Sequence, residues 1–111
     1  MHITQKEGIS MGKRAPKERK IGMYKAILEL KDLEGCCNFF EDICAVTELR
    51  SMEQRFEVAK MLRQEKVYTE IMQKTNASSA TISRVNRMIN YGTGCLGEVL
   101  DRLPDDEDEE E

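Results

Sequence analysis

A chain of 111 residues is long enough for one small domain and no more. Its net charge of −4 hides an uneven distribution, because seven consecutive acids, Asp105 to Glu111, follow Pro104, and residues 1–104 carry 17 bases against 14 acids. No apolar run approaches the roughly 18 residues that span a bilayer, and the N-terminus lacks the hydrophobic stretch of a signal peptide, so the expectation is a cytoplasmic protein with no membrane partner.

In chain order, Met1 to Lys20 hold six Lys or Arg and two Glu among few apolar residues, which predicts a flexible basic arm over 1–20. From Ile21 apolar residues recur at helical spacing through Tyr24, Ile27, Leu28, Leu30 and Leu33, which predicts a first amphipathic helix interrupted by Gly35. Cys36 to Ala45 put Phe39, Phe40, Ile43 and Cys44 on one side of a second, shorter helix. Thr47 is the expected N-cap of a long third helix running to about Gln64, with Glu48 in its first turn and Leu49, Met52, Phe56, Ala59 and Leu62 toward the core. Shorter pieces follow: Val67 to Lys74, the turn Thr75-Asn76-Ala77, and Ser78 to Asn90. Tyr91-Gly92-Thr93-Gly94 is a stop signal, and Leu96, Val99, Leu100 and Leu103 predict a last helix closed by Pro104. The fold class is therefore all-α with about six helices, a helical domain over 21–103 and a disordered acidic tail over 104–111.

The segment 67–90 carries the functional reading. Two helices that cross steeply through a three-residue turn need a small set of buried positions, and Ile71, Ile82, Val85 and the small Ala77 supply them, with Met72, Met88 and Ile89 joining the unit to the body. Asn76 falls where a left-handed backbone is usual, and Asn tolerates it better than most residues. Ser78 is the expected N-cap of the second helix. The short side chains of Ser79, Ala80, Thr81 and Ser83 would then let that helix end approach base edges, and its orphan N–H groups could hold a phosphate oxygen. Arg84 and Arg87 extend a positive face, and Lys66, Tyr68, Thr69 and Lys74 could hold flanking phosphates. Between Lys60 and Asn90 there are six bases and two acids. By spacing alone, the same pattern also fits an ordinary helical hairpin with a solvated charged face.

The run Glu48 to Leu62, then Tyr68-Thr-Glu-Ile71, then Ala77-Ser-Ser-Ala-Thr-Ile-Ser-Arg-Val85 resembles the Trp repressor superfamily, most closely its YerC/YecD-type branch of TrpR-like regulators. The likeness extends over about residues 21–103, and Ala80-Thr-Ile-Ser-Arg84 is its most specific part. It implies an intertwined homodimer whose helix-turn-helix units over 67–90 project as two reading heads onto double-stranded DNA, and hence a nucleoid-associated transcriptional regulator that represses. By the same resemblance the DNA-contacting positions fall on Tyr68, Thr69, Ser79, Ala80, Thr81 and Ser83; only Ala80 and Thr81 match in type, so the operator does not transfer. Two arginines of the Trp repressor sandwich the indole of tryptophan, and a glycine follows the second. Here Arg84 matches the second arginine, but Gln54 and Val85 stand at the other two positions, so no tryptophan co-repressor and no other cofactor is expected.

The competing reading is a helical dimeric protein-interaction module without DNA binding, which would show an exposed apolar patch rather than a positive face. An enzyme is not expected: the single histidine is His2, and no nucleophile, paired-carboxylate or phosphate-loop constellation is present. Cys36, Cys37, Cys44 and Cys95 have neither redox nor zinc spacing and read as reduced thiols that serve as small core or interface hydrophobes, with no metal. Single-stranded RNA lacks its usual aromatic platform, as there is no Trp. The basic residues Lys13, Arg14, Lys17, Arg19 and Lys20 could reach a DNA backbone, and the acidic tail could compete with DNA, but a solvated leader and a solubilising tail explain both segments as well.

Overall fold

The computed structural model describes residues 18–104, and over these it is all-α, with six helices and no strand. The helices are α1 (Ile21–Ile27), α2 (Leu33–Ile43), α3 (Val46–Arg63), α4 (Tyr68–Thr75), α5 (Ser79–Tyr91) and α6 (Cys95–Arg102). Of the expected basic arm, Lys13, Arg14 and Lys17 lie outside the described residues, as do the acids from Asp105; Arg19 and Lys20 are exposed.

The first two helices divide differently from the sequence reading. The apolar period runs on through Leu28, Leu30 and Leu33, yet α1 stops at Ile27 and the chain turns. The carboxylate of Asp32 then accepts the Gly35 N–H at 2.7 Å and starts α2 at Leu33. An Asp at an N-cap satisfies one of the donors that a helix start leaves unpaired. Gly35 therefore sits inside the first turn of α2 and does not break a longer helix. Similarly, α3 begins at Val46, capped by Ala45 and not Thr47; Glu48 Oε1 reaches back to accept the Ala45 N–H at 2.8 Å.

α3 is the central helix, and α2, α4, α5 and α6 all pack on it. Its apolar residues surround the axis in place of one stripe, as a helix covered on several sides requires. Val58, Ala59 and Met61 of α3 are buried with Ile71, Ala77, Ile82, Val85 and Leu100, and Phe56, Leu62, Ile89 and Leu96 pack against this cluster. Val58 carries no expectation of burial from the helical spacing, whereas Met52, Met72 and Met88 do and are about 40% exposed.

α3 ends in a Schellman motif: Glu65 is left-handed at φ 62°, Glu65 N–H reaches the Leu62 carbonyl at 2.9 Å and Lys66 N–H the Met61 carbonyl at 3.0 Å. Gly94, at φ 96°, makes the turn into α6. α6 then lies close to α3, since a Cβ at Gly97 would stand 3.2 Å from the Arg63 guanidinium, which spans this gap to pair with Asp101 (Arg63 Nε to Asp101 Oδ1, 3.3 Å). The four cysteines are free thiols, with Cys36 and Cys44 half-buried and Cys37 and Cys95 exposed.

Candidate nucleic-acid interface

α4 and α5 meet through Asn76, Ala77 and Ser78. Asn76 is left-handed at φ 67°, ψ 13°, and its N–H closes α4 on the Met72 carbonyl at 2.9 Å. Thr75 stitches the turn twice. Its hydroxyl donates to the Ile71 carbonyl at 2.7 Å and accepts the Ala77 N–H at 3.2 Å. Ala77 is buried, small enough for the helices to cross closely. Ser78 caps α5 by accepting the Thr81 N–H on its Oγ at 3.1 Å. Ile71, Ile82 and Val85 are buried in one cluster, so the crossing is held by the apolar residues expected to hold it.

Burial fixes the orientation of α5. At about 100° per residue, Ile82, Val85 and Ile89 share one side, and Ser79, Ala80, Ser83, Arg84 and Arg87 lie across the opposite arc. All five are exposed. Arg84 and Arg87 make no ion pair among the described residues. The N–H groups of Ser79 and Ala80, ahead of the Thr81 N–H taken by Ser78, are left without an intrahelical partner at the tip. Thr81 departs from the expected layout. It is half-buried at the edge of the packed side, and its Oγ1 accepts from the Ser78 hydroxyl at 3.2 Å. Its own hydroxyl proton remains free to donate.

The flanking residues are less unified. Lys66, Tyr68, Thr69 and Lys74 are all exposed, but Thr69 and Lys74 leave α4 on different sides, and Lys74 Nζ is 3.9 Å from Glu70 Oε2. The arrangement as a whole presents a cationic, hydroxyl-bearing helix end on a rigid two-helix support.

The family model for the Trp repressor protein matches residues 22–104 of this chain. The chain belongs to the Trp repressor family. It is 48% identical over 87 residues to the uncharacterized protein YerC of Bacillus subtilis (strain 168), covering 78% of this chain and 84% of that one. A TrpR-like protein from Eubacterium eligens ATCC 27750 superposes with a TM-score of 0.65 at 51% identity, over 75% of this chain and 89% of that one. A candidate Trp repressor from Staphylococcus aureus gives 0.68 at 45% identity, over 72% and 80% respectively.

Of the three positions that the resemblance links to tryptophan, two are engaged within the fold of this Trp repressor family member and one is exposed. Val85 is buried in the core, Arg84 is exposed, and Gln54 on α3 donates its Nε2 to the Thr75 carbonyl at 3.0 Å. This last contact joins residues 21 apart across two helices. Sequence reasoning did not find it, although Gln54 lies one turn before Val58 on the same side of α3.

Proposed function

We propose that this Trp repressor family member is a homodimeric, sequence-specific DNA-binding transcriptional regulator, acting as a cytoplasmic, nucleoid-associated repressor that does not respond to tryptophan. The observation that carries the reading is the outward arc of α5, with small residues at its tip, two uncommitted arginines along it and its opposite side anchored in the core. In this account α4 and α5 form the helix-turn-helix. Ser79, Ala80 and Ser83 approach base edges, Thr81 donates its hydroxyl, Arg84 and Arg87 face bases or phosphates, and Lys66, Tyr68, Thr69 and Lys74 hold flanking phosphates.

The second copy is supported by what the chain leaves uncovered. α1 and α2 contain no buried residue, and Leu28, Leu33 and Val46 are 82%, 79% and 69% exposed. Apolar surface of this extent marks an interface. It lies around α1, α2 and the start of α3, none of which carries the cationic arc, and it suits a shared core between two chains. Two heads would then meet successive major grooves about 34 Å apart. The interaction-module reading draws on the same apolar surface but leaves the arc of α5 without a role.

The lack of a tryptophan response is supported by Gln54, whose neutral amide cannot supply a stacking cation, and by the branched side chain at Val85. A fluorescence titration of duplex DNA across salt concentrations, repeated with 1 mM tryptophan, tests both statements. Affinity is expected to fall linearly on a log–log plot, the slope to shrink by about one unit in each of Arg84→Ala and Arg87→Ala, and tryptophan to change nothing. A salt-independent signal, unchanged slopes or tighter binding with tryptophan would contradict the proposal.

A further inference from the structure

The last carbonyls of a helix have no partner within it, and where they find one decides how firmly the helix end is held. In α4 the Met72 carbonyl takes the Asn76 N–H and the Ile71 carbonyl takes the Thr75 hydroxyl, both local contacts. The Thr75 carbonyl, by contrast, is taken by Gln54, which belongs to the central helix. Thr75 immediately precedes the left-handed Asn76, so the orientation of its carbonyl governs the direction in which the chain leaves for α5.

The apolar part of the attachment between α3 and the two-helix unit is Val58 and Met61 in one cluster with Ile71, Ile82 and Val85. Apolar contact is strong but non-directional, so it tolerates a small rotation of the unit that a directed hydrogen bond does not. We infer that Gln54 is a positioning residue for DNA recognition, whose amide fixes the end of α4, and through it the tip of α5, on the central helix in the orientation that reads DNA. It touches no nucleotide itself. The inference rests on the proposed DNA-binding role, and it also has a consequence in the protein alone.

The test compares full-length wild type with Gln54→Glu and Gln54→Leu, using the duplex pool enriched by the wild type as probe. Glutamate has the shape of glutamine, but its carboxylate has no proton to donate and repels the Thr75 carbonyl; once protonated, near or somewhat above its usual value of about 4.3, it can donate again. At pH 8 both variants should bind about tenfold more weakly than wild type, the expected effect of one lost hydrogen bond to a part-buried carbonyl. At pH 4.5, where about 40% or more of the new side chain is protonated, Gln54→Glu should return to within about threefold of wild type at that pH, and Gln54→Leu should not. This difference ties the loss to the donated proton and not to side-chain packing. Independently of DNA, the hydrogen-bonded amides of Asn76, Ala77, Thr81 and Ile82 should exchange about tenfold faster in Gln54→Glu at pH 8, while those of α3 and α6 keep their protection.

Wild-type affinity and unchanged exchange in Gln54→Glu at pH 8 would overturn the inference, as would an equal loss at both pH values. Should wild type enrich no duplex, the DNA-binding proposal fails, and the exchange comparison alone still decides whether Gln54 holds the turn.

Discussion

Asn76 and Glu65 both adopt left-handed backbone, and they show how differently single residues announce their structure. Asn carries a known tolerance for that region, so the turn between α4 and α5 could be read in advance. Glu has no such preference, and nothing in Gln64-Glu65-Lys66 marks the Schellman turn that ends α3. The cost of the left-handed region for an ordinary side chain is about 1 kcal/mol or more. Glu65→Gly is accordingly expected to stabilise the fold by about 1 kcal/mol and Asn76→Gly to change it by less than about half that. Denaturant unfolding of the two variants checks this, and a loss of stability in Glu65→Gly would show that its side chain matters more than its backbone. Thr81 teaches a related lesson. Spacing marks it as a helix-tip hydroxyl, but only the fold shows that it already accepts from Ser78.

Among the helices, those with one clean apolar side were legible and those packed from several directions were not. α4 and α5 came through nearly intact, because Ile71, Ile82 and Val85 define single sides and the Ser78 cap and Gly92 stop bound α5. α3 did not, since Leu49, Met52, Phe56 and Ala59 form one stripe and Gln54, Val58 and Met61 another. Reading only the first stripe assigns Met52 to the core and overlooks Val58, and with it the polar residue that continues the second stripe toward the turn. The boundary between α1 and α2 was lost for another reason. Helical periodicity survives a break when the intervening residues happen to keep register, as Leu28, Leu30 and Leu33 do, and only the cap chemistry of Asp32 distinguishes two helices from one.

Among the described residues of the molecule, all eight buried apolar ones lie between Val58 and Leu100, and the first two helices bury none. A half-built core of this kind is costly to leave in water, and the proposed dimer completes it. Sedimentation equilibrium should therefore give twice the chain mass of 12.8 kDa, and the Leu28→Glu/Leu33→Glu double variant should shift toward monomer with a lower melting temperature. A wild-type monomer at tens of micromolar would remove the second copy from the account. The arc of α5 carries the proposed DNA-binding role, and selection from a pool of randomised duplexes decides whether it reads sequence. Two related half-sites about one helical turn apart should be enriched, with the preference altered or lost in Ser83→Ala and Arg84→Ala. A pool that stays random, or the same sites enriched by both variants, would contradict it.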